Sequence, residues 1–183
     1  MATHHAMIDT ALGWAGLAWT DRGVCRVQIP GGDREAVRAR LLKGLAGSTE
    51  CEPDGFAAEA AGLLRAYCAG AIVDFSAVPL DLGSADPFRL AIWSAARRLG
   101  HGETTTYGGL AEAAGHKGMA RETGEALGRN PVPIIVPCHR ILAAGGKIGG
   151  FSAPGGSATK SRLLALENAT SPNRNPAQAS FAF

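Results

Sequence analysis

The chain has 183 residues, 46% hydrophobic and 19% charged, which is apolar material enough for one good-sized domain or two small packed ones and excludes wholesale disorder. No run approaches the roughly 18 apolar residues of a spanning helix, and the opening Met-Ala-Thr-His-His lacks a secretory leader's basic region and apolar core. A soluble cytoplasmic protein with no membrane partner is therefore expected. The net charge of +2 conceals a division: residues 1–87 carry 7 basic and 11 acidic side chains, residues 88–183 carry 11 and 5, so the second part suits a polyanion.

The first two histidines, His4 and His5, have no partners at ligand spacing and read as a disordered terminus. Residues 14–19 and 24–29 are short β-prone runs separated by the hairpin-like break Thr20-Asp21-Arg22-Gly23. Helical spacing follows over 33–45 (Val37, Leu41, Leu45) and 56–69 (Ala60, Leu63, Leu64, Tyr67), with no evident chemistry on either helix. Residues 76–87, with Pro79, Gly83, Ser84, Asp86 and Pro87, form a turn-rich connector.

After the connector the pattern becomes helical: 88–99, then 108–114 and 119–127 on either side of Gly115-His116-Lys117-Gly118. Two short helices across a glycine turn are compatible with helix-turn-helix DNA binding. Pro131, Pro133 and Pro137 surround Ile134-Ile135-Val136, which reads as a short buried extended segment. Gly145-Gly146-Lys147-Ile148-Gly149-Gly150 lacks phosphate-loop spacing and reads as a flexible loop. A last helix is expected over 158–167 and a loose tail after it.

Chemistry concentrates at Cys138. A thiol attacks as thiolate, and here His139 and Arg140 adjoin it. In a strand neighbouring side chains face opposite ways, so Cys–His contact needs a turn, which Pro137 favours, or a bridging water. A carboxylate to orient the imidazole has one source after Glu125, namely Glu167. Cys25, Cys51, Cys68 and Cys138 lie far apart with no C-x-x-C pair, so neither a disulfide framework nor a metal site is expected, and no cofactor is implied.

Val136-Pro137-Cys138-His139-Arg140-Ile141, preceded by Arg129-Asn130-Pro131-Val132-Pro133, resembles the active-site signature of the O6-alkylguanine-DNA alkyltransferases, the methylated-DNA–protein-cysteine methyltransferases. The resemblance continues through Gly102-Glu103, Thr106-Tyr107-Gly108, Ala120-Arg121, Gly149-Gly150-Phe151-Ser152 and Leu163-Leu164-Ala165-Leu166-Glu167, covering residues 88–167. It implies an α/β two-domain fold: a ribonuclease-H-like α/β domain over 1–82, a mainly α, winged helix-turn-helix-like alkyltransferase domain over 83–169, and a disordered tail over 170–183.

The resemblance also implies the chemistry. Double-stranded DNA bearing O6-alkylguanine, or O4-alkylthymine, would be bound through the minor groove by a monomer. Arg121 would replace the flipped base in the stack, and Tyr107, Thr106 and Ala120 would contact the nucleic acid. Cys138 would take the alkyl group, with His139 as base through water, Glu167 orienting His139, Tyr107 donating to the departing guanine, and Asn130 as a hinge. Pro133, Ile141, Phe151 and Ser152 would line the pocket, and each molecule would act once. Glu122, Thr123 and Glu125 stand where familiar members have small or apolar residues, Phe151 stands where tyrosine is common, and the 153–156 loop is longer. The competing readings are a non-catalytic module that recognises alkylated DNA, whose relatives lack the cysteine, and a thiol hydrolase, which leaves Arg121 unexplained.

Overall fold

Strands β1 (His4–Ile8), β2 (Ala15–Thr20) and β3 (Gly23–Gln28) open the fold, with helix α1 (Arg34–Leu42), strand β4 (Thr49–Glu50) and helix α2 (Gly55–Cys68) after them. The computed structural model describes residues 2–169. The sheet runs β3-β2-β1-β4, antiparallel except for the parallel β1–β4 pair, with His4 opposite Trp19 and Ile8 opposite Ala15. His4 and His5 are therefore strand residues and not a disordered terminus. His5 is fully buried and its Nδ1 lies 3.1 Å from Ser48 Oγ, so a partner that only the tertiary fold supplies fixes the segment.

Helix α1 starts where Asp33 accepts from Ala36 N and stops at Leu42, three residues before the expected end, because Lys43 leaves helical geometry (ψ 108). Helix α2 buries Ala57, Ala60, Ala61, Leu64 and Tyr67 in the shared core. The connector is tied to the sheet, where Val24 N donates to Pro79 O and Asp81 N donates to Val24 O, and the chain leading into it is tied to the helix that follows, whose Arg97 donates to Phe75 O and Ser76 O.

Helix α3 (Pro87–Arg97) begins one residue earlier than the periodicity suggests, since Pro87 fits the first helical turn after the Asp86 cap. It ends at Arg97, short of Leu99. Strand β5 (Thr105–Thr106) leads into α4 (Tyr107–Ala113), and α5 (Ala120–Gly128) follows the glycine-bounded turn. Trp93 Nε1 donates to Ala126 O at 3.0 Å and pins α3 to α5.

Residues 134–136 are not extended. Ile134 has φ 76, and Val136 N donates to Val132 O, which closes a buried turn held by Asn130: its Nδ2 donates to Val136 O and its Oδ1 accepts from Val132 N. A 3-10 turn at Cys138–Arg140 follows, then β6 (Ile141–Leu142), parallel to β5. The glycine segment folds into a turn in which Ala143 N donates to Lys147 O, and Gly149 lies beside the Tyr107 ring with φ 70, the left-handed region that favours glycine.

Helix α6 (Gly156–Leu166) starts and ends earlier than expected. Asn168 and Ala169 are ordered rather than loose. Asn168 takes φ 50 and donates from its N–H to Ala165 O, while Ala169 N donates to Leu164 O, a Schellman stop that sets Glu167 in place. The expected tail over 170–183 lies outside the described residues. Among the described residues no helix is long and apolar enough to cross a membrane.

Candidate active site

The position of Cys138 follows from Pro137, which has no N–H and cannot continue a ladder. The chain turns there: Cys138 N donates to Val136 O at 2.8 Å and Arg140 N to Pro137 O at 2.9 Å. In a 3-10 turn successive side chains diverge by about 120° rather than pointing to opposite faces. Cys138 is buried at 7% exposure and His139 at 0%. Burial pushes the Cys138 thiol up, against the opposing pull of Asn130 and Lys160, so the resting group is a protonated thiol that needs a base.

His139 follows Cys138 in the chain and is fully buried. Its Nε2 lies 2.6 Å from Glu167 Oε1, while Nδ1 is buried with no hydrogen-bond partner among the described residues. Burial lowers the His139 pKa and Glu167 raises it, with a net result below the ordinary 6.5. The neutral ring then donates from Nε2 to the carboxylate and presents Nδ1 as an acceptor.

Glu167 is itself clamped. Arg140 donates Nε to Oε2 at 2.8 Å and Nη2 to Oε1 at 2.9 Å, Tyr67 Oη donates to Oε1 at 2.7 Å, and Gly102 N donates to Oε2 at 3.1 Å. Burial alone would raise the Glu167 pKa. Hydrogen bonds from His139 and Arg140 outweigh it and hold the carboxyl far below the carboxylate range. The Tyr67 hydroxyl is driven the other way by burial and then by Glu167, so it remains a proton donor.

Tyr107 is half-buried at the start of α4, and its hydroxyl reaches Gly150 O at 3.4 Å. Thr106 caps that helix by accepting from Gly109 N at 3.1 Å. Ala120 and Arg121 open α5, where Arg121 is 88% exposed and pairs with Glu125 at 3.5 Å. A cavity of about 170 Å³ lies between α5 and the 150 loop, lined by Tyr107, Gly124, Cys138, Phe151 and Ser152. Pro133 lines a second cavity that also reaches Cys138. Ile141 lines neither: it packs in the core at 0% exposure, and its carbonyl accepts from Lys160 Nζ.

The family model described as "6-O-methylguanine DNA methyltransferase, DNA binding domain" matches residues 87–169. A methylated-DNA–protein-cysteine methyltransferase of Mycolicibacterium paratuberculosis is 44% identical over 109 residues, which are 60% of this chain and 64% of that protein. The one from Mycobacterium tuberculosis H37Rv is 42% identical over 125 residues, 68% of this chain and 73% of its own length. The chain belongs to the methylated-DNA–protein-cysteine methyltransferase family. A crystal structure described as M. tuberculosis OGT in complex with DNA superposes with TM-score 0.72 at 34% identity, covering 90% of this chain and 92% of that one.

Within this family fold the site holds residues that the sequence reading left out. Tyr67 belongs to α2, which had shown no chemistry, yet it closes the Glu167 clamp from the N-terminal half. Arg140, expected beside the thiol, spends its guanidinium on Glu167 and Leu99 O. The cation coupled to Cys138 is Lys160, fully buried, with Nζ bonded to Ile141 O and Gly150 O, 5.6 Å from the Tyr107 ring centroid. Burial lowers its pKa to about 8, with Cys138 opposing. One signal was available: Lys160, Leu163 and Glu167 share a helix face at i, i+3 and i+7, so two charged groups occupy an apolar stripe. Among the described residues no group of three or more His, Cys, Asp or Glu could hold a metal ion.

Proposed function

We propose that this chain repairs DNA by direct reversal, moving the alkyl group of O6-alkylguanine, and of O4-alkylthymine, onto its own Cys138. The observation that carries the reading is a buried Cys138 thiol followed in the chain by a buried histidine whose Nε2 is held at 2.6 Å by a clamped carboxylate, with its Nδ1 left unpartnered among the described residues. His139 Nδ1 takes the thiol proton through a water. Sγ then bonds to the alkyl carbon as the C–O6 bond breaks, its electron pair stays on the guanine, and Tyr107 donates a hydrogen bond where that charge develops. Asn130 keeps the cysteine turn in register. The product is a thioether without a good leaving group, so each chain reacts once.

Duplex DNA bound through its minor groove must give up the lesion to a buried thiol, and Arg121 fills the place left in the stack. Its exposure and the excess of basic side chains after residue 87 support this role. The ion pair to Glu125 is exposed and screened by water, so it opens readily. Thr106 and Ala120 flank the same face, Phe151 and Ser152 enclose the base, and Pro133 borders the substrate from the adjoining cavity. The mixed N-terminal sheet supports a ribonuclease-H-like domain over 1–82, and the α4–turn–α5 unit supports a winged helix-turn-helix-like domain over 83–169. A cytoplasmic monomer fits this work.

Repair is tested on the DNA itself. Equimolar protein should convert O6-methylguanine in a synthetic duplex to guanine in an uncut strand, one lesion per chain, and Cys138→Ser should convert none. A strand with the base excised, or conversion well beyond one equivalent, would overturn the reading.

A further inference from the structure

Two cavities meet at Cys138. The smaller, described above, lies against α5. The larger, about 340 Å³, shares Gly128, Cys138, Phe151 and Ser152 with it and continues past Pro133 and Pro154 to β3 and α1. Its far end is cationic: Arg26, Arg40, Lys43 and Arg129 line it, and none of its lining residues is a carboxylate. Two of the four are committed elsewhere, since Arg26 donates to Leu41 O and Lys43 O and Arg40 to Gly31 O at 2.6 Å. Lys43 and Arg129 are exposed, and among the described residues their side chains make no hydrogen bond or ion pair. Residues 1–87 have more acidic than basic side chains overall, so this face reverses the local sign.

In-line displacement makes a second cavity useful. Sulfur, the attacked carbon and the departing oxygen lie on one line, so the remainder of an alkyl group longer than methyl projects sideways from the attacked carbon. A base held in the smaller cavity would then direct that remainder into the larger one. We infer that the groove from Cys138 to Lys43 and Arg129 is a specificity site for O6-alkyl groups that end in an anion, a carboxylate above all. The inference rests on the alkyl-transfer reading. The bonds made and broken are those of the methyl case, and the carboxylate stays on the group carried to sulfur.

The experiment uses one duplex sequence with three lesions: O6-methylguanine, O6-(3-carboxypropyl)guanine and its neutral terminal carboxamide. The full chain should act on the carboxylate about fivefold faster than on the carboxamide, as one favourable charge contact at a wet surface gives. In the variant carrying Arg129→Gln and Lys43→Gln that ratio should fall to about one, with the O6-methyl rate unchanged. Equal rates on the two long lesions in the unaltered chain, or no reaction with either, would overturn the inference. An equal loss on all three lesions in the variant would do the same by assigning the cations to a backbone phosphate. If the unaltered chain fails on O6-methylguanine, the alkyl-transfer reading itself falls, and this inference with it.

Discussion

Glu167 carries three jobs in one carboxylate: it orients His139, pairs with Arg140 and accepts from Tyr67. Its folded-state pKa lies below the ordinary 4.5, so its contribution to stability is fully present above that value and is lost as pH falls below it. Glu167→Gln leaves Arg140 buried without its counter-charge and should cost about 3–5 kcal/mol near neutrality. Denaturant titrations should show the gap from the unaltered chain narrowing below pH ~4.5. A gap independent of pH would mean that folding leaves the Glu167 pKa at its unfolded value, so that the clamp does not favour the carboxylate. Tyr67→Phe removes one donor from Glu167, which becomes more basic and holds the His139 proton more tightly. The acid limb of the alkylation rate, expected below 6.5 from the lowered His139 pKa, should therefore move up. An unmoved limb with a uniformly slower rate would reduce Tyr67 to packing.

At the level of elements, the capping of α6 and the placement of α5 each make a testable claim. Asn168 stops α6 with φ 50, a conformation that β-branched residues resist. Asn168→Val should lower stability by about 1 kcal/mol or more and slow alkylation through the displaced Glu167, readable as a joint loss of melting temperature and rate. Arg121→Ala should impair reaction with duplex DNA far more than with free O6-benzylguanine, because a free base needs no help to leave a stack. Equal losses on the two substrates would remove Arg121 from the flipping role. The helices were largely legible in the sequence because each has an apolar stripe, as with Ala60, Leu64 and Tyr67 in α2 or Ile92 and Ala96 in α3. The contact of His139 with Glu167 was legible because Glu167 is the sole acidic residue after Glu125. Strand β1 was not, since its pairing with β2 and Ser48 depends on distant chain. The turn at Ile134 was hidden too: three apolar residues look extended until the Asn130 side chain is seen to close them.

The whole molecule joins its halves at the chemistry. Val27 N donates to Pro131 O at 2.9 Å, binding the sheet edge to the loop before Cys138, and Tyr67 crosses from α2 to Glu167. Tyr67 is what the sequence concealed most fully, because a tyrosine at helical spacing reads as core until its hydroxyl is placed. A fragment of residues 83–169 loses both contacts and exposes apolar surface that α2 covers. It should melt well below the full chain and transfer alkyl groups more slowly, and equal melting and rate would show that the N-terminal half is dispensable. The excess of basic side chains after residue 87 should make DNA binding fall steeply as salt rises, as phosphate neutralisation requires.

The most direct measurement is the intact mass of the protein after incubation with O6-methylguanine duplex, followed by peptide mapping. A gain of one methylene per chain, located on Cys138, is expected and should persist when more duplex is added. An unchanged mass in protein that still binds the duplex tightly would contradict it and leave a chain that recognises alkylated DNA without repairing it.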